Sequence, residues 1–292
     1  MTYNRKPEWL KVKLPQSELS SQVGRVIREH HLHTVCTSAL CPNKGECWMR
    51  GTATFLICGD VCTRSCKFCN VITGRPAPLD PDEPENIARS VKLLQLKHAV
   101  ITSVDRDDLP DFGAAHWIKV IRAVRAANPA TTMEVLIPDF QGRRELICAV
   151  IEAAPEIISH NLETVRRLSK TIRSKATYEL SLDVIRQVAA SGTVAKSGIM
   201  LGLGETRDEV LQTMDDLRDA GCSVMTVGQY LRPSKSNIEV AEYIHPDVFD
   251  EYRSIGEEKG FTFIESAPLV RSSYHAEKHV STENFLQLKI KD

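Results

Sequence analysis

The sequence has no surplus of either charge: 37 Lys and Arg stand against 38 Asp and Glu in 292 residues. That balance gives no general field to draw in nucleic acid or an anionic membrane, so neither is expected as a partner. No apolar run approaches the roughly 20 residues of a membrane span. The opening stretch, "MTYNRKPEWLKVKLP", lacks the apolar core of a signal peptide. No low-complexity tract or obvious short repeat interrupts the chain. These absences lead to the expectation of a soluble, cytoplasmic protein, and a hydrophobic content of 42% suits an ordinary globular chain.

What the chain does have is cysteine, unevenly spread. Of nine cysteines, seven lie between Cys36 and Cys69, and only Cys148 and Cys222 lie elsewhere, both read as core positions. In a reducing compartment such crowding argues for metal or redox chemistry, and an odd total disfavours a fully paired disulfide framework.

From about Phe55 to Glu265, strand and helix signals alternate. Short apolar runs read as buried strands: "TFLICG", "HAVITSV", "TMEVLIP", "EIISHN", "AKSGIMLGL" and "SVMTVGQYL". Between them lie stretches of helical period. "DEPENIARSVKLLQLK" opens acidic with Pro84, "AAHWIKVIRAVRAANP" stops at Asn128-Pro129, and "ELSLDVIRQVAASG" and "ETRDEVLQTMDDLRDAG" end at Gly192 and Gly221. Six strands alternating with helices predict a parallel α/β sheet. A full eight-stranded barrel would be crowded into this length; a partial (β/α)6, TIM-like barrel fits better, with a doubly wound sheet still open. Either fold gathers ligands at the C-terminal ends of its strands. The expected division is an N-terminal extension, 1–52, with a helix at "SELSSQVGRVIREHH"; the barrel, 53–265; and a mostly polar C-terminal extension, 266–292.

"CTRSCKFC" follows the first strand, with Cys62, Cys66 and Cys69 spaced C-x3-C-x2-C. Two readings compete. Cys58 could join them in a four-thiolate zinc site, although Cys58 falls in an apolar strand, where a cysteine acts as a small hydrophobe. Alternatively, three soft ligands hold an iron–sulfur cluster and leave one iron open, as a catalytic metal requires. Upstream, "CTSALCPNKGEC" carries Cys36, Cys41 and Cys47 at C-x4-C-x5-C. This trio is a zinc loop, a set of idle thiols, or a second cluster lacking a fourth cysteine.

"CTRSCKFC", with Phe68 as its aromatic, resembles the signature of radical S-adenosylmethionine enzymes. With "CTSALCPNKGECW", "TSVDRDDLPDFGA", "EVLIPDF", "HNLETV", "GIMLGLGE", "QYLRPS" and "RSSYHAEK" in order, nearly the whole chain resembles the lipoyl synthase family. That resemblance implies a partial barrel, two [4Fe–4S] clusters and S-adenosyl-L-methionine. It implies radical insertion of two sulfur atoms at carbons 6 and 8 of an octanoyl chain held on a lysine of a carrier domain. Cys62, Cys66 and Cys69 then hold the radical-generating cluster. Cys36, Cys41, Cys47 and the Ser273 hydroxyl hold an auxiliary cluster that is consumed as the sulfur source. Implied partners are octanoylated lipoyl carrier domains (2-oxoacid dehydrogenase acyltransferase subunits and glycine cleavage H protein), a flavodoxin or ferredoxin electron donor, and an iron–sulfur carrier protein. Asn161 and Glu163 are carried over for the cofactor's ribose and methionine end.

Thr102 and Ser103 are nominated for the cofactor, and Arg173 for its carboxylate, against the plainer reading of a solvated helix charge. Gly202 either lets backbone approach the adenine or only makes a turn. Gln229, Tyr230 and Arg232 end the sixth strand and are expected to line the site. Arg106, Asp107 and Asp108 serve the site or form local ion pairs. Taken alone, "RSSY" reads as an ordinary surface tail. The alternatives are a biotin synthase-type enzyme, which leaves Cys36, Cys41, Cys47 and Ser273 unexplained, and an iron–sulfur carrier or zinc module, which needs no open iron. The chain departs from the family pattern at Cys58, Phe112 and Ser159, which replace an aliphatic residue, a glycine and an asparagine.

Overall fold

The structure, a computed structural model, describes residues 6–11, 18–29, 32–49 and 53–280. The expected motif "PEWLKVKLP" beyond Lys11 and the polar tail beyond Val280 lie outside the described residues, as do the outermost residues of the first predicted helix.

In chain order come α1 (Glu18–Glu29), β1 (His33–Thr34), α2 (Val35–Ser38), α3 (Lys44–Met49), β2 (Thr54–Ile57), β3 (Val61–Cys62), β4 (Ile72–Thr73) and α4 (Glu83–Leu93). Next are β5 (His98–Ser103), α5 (Ala114–Ala127), β6 (Thr132–Leu136), α6 (Arg144–Glu152), β7 (Ile157–Ser159) and α7 (Arg166–Ile172). The chain continues through α8 (Tyr178–Ala190), β8 (Val194–Leu201), α9 (Arg207–Asp219), β9 (Val224–Gln229), α10 (Pro246–Glu258) and β10 (Phe263–Ser266).

The six expected strands are β2, β5, β6, β7, β8 and β9, all parallel and adjacent in sequence order. Two strands not foreseen extend them. β10 adds a parallel strand beside β9, and β1 pairs antiparallel with β2 at the other edge. The result is an eight-stranded open sheet, with β3 and β4 forming a small ribbon apart from it. Helices cover its outer face, as right-handed parallel crossovers require.

The helices begin where their sequences say they should. Thr206 and Glu209 close a capping box at the start of α9, Thr177 caps α8, and Pro84 and Pro246 sit in the first turns of α4 and α10. Apolar stripes of α4, α5, α6, α8 and α9 join the strands in one core that includes Ile87, Trp117, Ile121, Ile147, Val184 and Met214. Cys222 is fully buried there, as expected, but Cys148 on α6 is only half-buried.

The two flanks pack onto this sheet. α2 lies against β2, and α1 against α3 and α4, while the turn Ala276–Val280 lies against β5. The chain's outer segments therefore meet over the edge of the sheet that bears β2.

Candidate active site

Beyond β2 the chain turns sharply at Cys58 and Gly59, both left-handed (φ +67° and +94°). Cys58 does not belong to the strand itself, but it is 2% exposed within the core, and its N–H donates to Glu83 Oε2 at 2.8 Å. Cys62, Cys66 and Cys69 line a large cavity that Cys58 does not reach. Among the described residues, no three His, Cys, Asp or Glu side chains converge on a single-ion position. Cys58 is thus placed in the core, apart from the cavity that the other three cysteines line.

The cysteine loop is tied to the sheet's C-terminal edge. Cys62 Sγ accepts from the backbone N–H of Arg64 at 3.4 Å and of Asp105 at 3.3 Å, and Cys69 Sγ accepts from Val71 N–H at 3.5 Å. Cys66 Sγ lies 3.7 Å from Ser174 Oγ. Burial, and then the Asp105 carboxylate, push the Cys62 thiol up to about 12; burial pushes Cys69 up to about 11. Left alone these thiols stay protonated, and a metal at the site would be what makes them thiolates.

Between Cys62 and Cys66, Arg64 is buried with its guanidinium spread across two carboxylates. It donates to Asp107 at 2.9 and 2.8 Å and to Asp139 at 2.8 and 2.8 Å, with Asp105 3.4 Å away. Burial pushes the Asp107 and Asp139 carboxyls up, but the bonds from Arg64 more than reverse this and leave both below the usual carboxylate range. Asp107 thus clamps the cluster loop, whereas Arg106 and Asp108 form a local pair. Arg64, Asp105 and Asp139 were not singled out from sequence. Their one signal was an arginine set inside a cysteine loop.

The large cavity, about 1070 Å³, opens at the C-terminal ends of the strands. Thr102 and Ser103 end β5 on its wall. Thr102 Oγ1 donates to Leu136 O, and Ser103 Oγ accepts from Trp117 Nε1. Asn161 and Glu163 follow β7 onto the same wall. Asn161 Oδ1 is buried and accepts no hydrogen bond among the described residues. Glu163 is left-handed (φ +67°) and bridges to Ile199; burial raises its carboxyl, opposed by Arg173 and a bond from Asn161. Arg173 is not the solvated charge of the plainer reading. It is 8% exposed, lines the cavity, donates to Ser181 Oγ at 2.6 Å and makes no ion pair among the described residues.

Gln229 and Tyr230 also line this cavity, as expected, with their polar groups bound to the chain. The Gln229 amide is spent on the chain: it donates to the carbonyls of Leu201, Tyr230 and Glu242 and accepts from Ile244 N–H. Tyr230 donates to Ile238 O and packs with Phe68, Ile172 and Leu203. Gly202 is not on the wall. At φ +90°, a Cβ there would stand 2.2 Å from Gln229 Nε2, so its glycine serves that packing. Arg232 reaches the cavity and donates to Asn237 O.

The second trio comes from α2, the loop after it and α3. Cys36, Cys41 and Cys47 line a smaller cavity together with Ser273, and Cys36 and Cys41 also face the large one. Ser273 Oγ accepts from Thr54 Oγ1 at 2.9 Å. Ser272 lines only the large cavity. Asn43 Nδ2 donates to Leu269 O at 2.7 Å, and Tyr274 OH donates to Glu46 Oε1 at 3.1 Å. "RSSY" is thus no ordinary surface tail. Arg271, also missed, lines both cavities; burial lowers its pKa, opposed by Cys41.

Donor chemistry fits the groups expected. Three soft sulfurs in one loop suit an iron–sulfur cluster. Beside them, the unmatched Asn161 carbonyl is a polar group left for a ligand, and Arg173, with no ion pair among the described residues, lines the same cavity.

Residues 56–217 match the sequence profile of the radical SAM superfamily. A lipoyl synthase of Treponema denticola is 68% identical over 281 residues, covering 96% of this chain and 97% of that protein. One from Parabacteroides distasonis is 62% identical over 276 residues, covering 94% and 98%. Among solved structures, methylornithine synthase (PylB) superposes with a TM-score of 0.56 at 10% identity, covering 94% of this chain and 89% of that one, a likeness of fold alone.

Proposed function

The chain belongs to the lipoyl synthase family of radical S-adenosylmethionine enzymes, and from that premise we propose that it inserts sulfur at carbons 6 and 8 of an octanoyl group carried on a lysine of a lipoyl carrier domain. Cys62, Cys66 and Cys69 would hold a [4Fe–4S] cluster. When bound, that cluster and S-adenosylmethionine supply a 5′-deoxyadenosyl radical able to take hydrogen from unactivated carbon, which acid–base side chains cannot do.

The chain's own residues orient and shield. Arg64, gripped by Asp107 and Asp139, fixes the cysteine loop. Asn161 Oδ1 accepts from a ribose hydroxyl, and Glu163 and Arg173 address the amino and carboxylate groups of the methionine end. Leu136, Ile137 and Ile199 give the cavity an apolar wall for an alkyl chain and exclude water from it. Residues 53–265 carry the radical chemistry, and the two flanks carry the sulfur. Cys36, Cys41, Cys47 and Ser273 hold a second cluster, which is the sulfur-donating substrate. A serine oxygen is a hard ligand among soft ones, so its iron is the most easily lost. The electron donor is a flavodoxin or ferredoxin, and an iron–sulfur carrier protein restores the auxiliary cluster.

One observation carries this reading. Ser273 and three cysteines from the opposite flank face one cavity, and two of those cysteines also face the cavity of the radical loop. The test is an anaerobic reaction of the reconstituted protein with an octanoyl-lysyl peptide, followed by mass spectrometry. Gain of two sulfurs, with two S-adenosylmethionine molecules cleaved per product, is expected. Cleavage without sulfur gain refutes the proposal.

A further inference from the structure

Glu134, Lys196 and His98 share strand parity with Leu136, Gly198 and Thr102, which line the large cavity, so all point to the sheet's inner face. There the core holds a buried ion pair that no proposed chemical step uses. Lys196 Nζ donates to both oxygens of Glu134, at 2.7 and 2.8 Å, and Ser159 Oγ donates to Glu134 Oε1 at 3.0 Å. Lys196 and Glu134 are 0% and 1% exposed. Such a pair is weak evidence for stability, because desolvation offsets its attraction; its best-attested use is to specify one arrangement among several.

The third proton of the ammonium shows which arrangement. It meets His279 Nδ1 at 3.2 Å, and His279 is the penultimate residue of the turn Ala276–Val280. Glu134 Oε2 is 3.8 Å from that nitrogen, too long for a hydrogen bond, so Nδ1 accepts from Lys196. Burial and the Lys196 charge lower the imidazole's pKa, opposed by Glu134, and the net lowering is in keeping with a neutral ring whose Nε2 is buried with no partner among the described residues. The ring also stands edge-on to Phe263, with centroids 4.5 Å apart. Little slack separates His279 from Ser273. Tyr274 N–H closes a turn on Arg271 O, and Lys278 N–H closes another on His275 O, with His275 left-handed at φ +53°.

We propose that His279 is a positioning residue for the auxiliary cluster: by accepting from Lys196 it fixes the register of residues 271–280, so that the Ser273 hydroxyl faces Cys36, Cys41 and Cys47. The proposal rests on the reading of Ser273 as a cluster ligand. Without the imidazole, a buried ammonium proton is left unmatched, and the segment loses its contact with the buried Lys196–Glu134 pair, keeping the Thr54–Ser273 bond.

The experiment uses the full chain, reconstituted anaerobically, with His279→Leu, which has no acceptor, and His279→Asn, whose amide oxygen can take the place of Nδ1. Each is also made in a Cys62/Cys66/Cys69→Ala background, where bound iron reports the auxiliary site alone. His279→Leu should release auxiliary iron to a chelator roughly tenfold faster than the parent. His279→Asn should stay within about twofold of it. 5′-Deoxyadenosine formation, read in the background with all cysteines, should be unchanged in both. A triple variant, Glu134→Gln, Lys196→Met and His279→Leu, leaves no unmatched buried charge and should also lose auxiliary iron fast, separating register from misfolding. Parent-like iron retention by His279→Leu or by the triple variant overturns the proposal. Equal loss from His279→Asn, or a matching loss of 5′-deoxyadenosine, does the same. Ser273→Ala runs alongside: if it holds auxiliary iron like the parent, the ligand reading and this inference both fall; if it loses iron and His279→Leu does not, only the inference falls.

Discussion

Arg64→Met should be the most damaging single change to the radical loop outside its cysteines. In the parent, the Arg64 side chain is 4% exposed and satisfies Asp139 (1%) and Asp107 (7%) in paired hydrogen bonds. After the change, Asp107 keeps Gln141 Nε2 at 3.0 Å and Lys175 Nζ at 3.1 Å, but Asp139 keeps only the Gln141 backbone N–H. The variant therefore strands one fully buried carboxylate and crowds it against two more. Removing one partner of a buried pair costs about 3–5 kcal/mol. The sign with pH follows from the carboxyl shifts. In the parent, Asp107 and Asp139 are held below their ordinary range, so their contribution is complete above about pH 4 and is lost only as pH falls further. In the variant, burial without a counter-charge lifts Asp139 above its unfolded value, so the penalty is greatest at high pH and eases as it takes up a proton. The stability gap should therefore narrow from about pH 8 to about pH 5.5. Anaerobic urea unfolding of the reconstituted proteins, followed by tryptophan fluorescence, measures the gap, and 5′-deoxyadenosine yield measures the loop. Arg64→Lys restores charge but not the fork and should fall between. A cost under about 1 kcal/mol, the size of an exposed pair, or a gap that does not move with pH, would refute the reasoning.

Replacing any one of Cys62, Cys66 or Cys69 with alanine should abolish 5′-deoxyadenosine formation while iron remains at the Cys36 trio; Cys58→Ala should keep both clusters and cofactor cleavage, and if it strips metal as thoroughly as Cys62→Ala the four-thiolate zinc reading gains. A variant lacking Cys36, Cys41 and Cys47 should still cleave S-adenosylmethionine but add no sulfur to an octanoyl-lysyl peptide, and a normal product yield would sink the auxiliary cluster as donor. Ser273→Cys should keep or tighten auxiliary iron yet slow sulfur transfer in a single turnover, whereas Ser272→Ala, on the other cavity, should matter less; the reverse order of effects would overturn the assignment.

Fold and chemistry were legible in the sequence to different depths. All six strands of the parallel core were readable because a strand buried on both faces is an apolar run. β10 escaped because it alternates buried and half-exposed residues after an acidic helix, so its run is broken. Cysteine trios carry their chemistry in local spacing and were found at once. Arg64 was not, because Asp107 and Asp139 lie 43 and 75 residues away and ion pairs between strand ends leave no local pattern. Arg173 was weighed as a solvated charge because helical position does not reveal which face a tertiary fold will cover. Phe112 and Cys58, departures from the family pattern, both stand at left-handed φ (+53° and +67°). A glycine at Phe112 would adopt that conformation without strain.

Thr54–Ser273, Asn43–Leu269 and Glu46–Tyr274 join residues 219 to 228 positions apart. Contacts of such separation close last, because the entropy of the long loop must be overcome before they are rewarded. The carboxylates that grip Arg64 in the radical loop, by contrast, end at Asp139, although Ser174 and Asn237 also bond that loop. On a ribosome, which releases the N-terminal half first, the loop of Cys62, Cys66 and Cys69 can reach its grip before half the chain exists. Cys36, Cys41 and Cys47 must wait for Leu269, Ser273 and Tyr274 to be made. On the proposed assignment, a chain truncated before Ser273 is expected to cleave S-adenosylmethionine and deliver no sulfur.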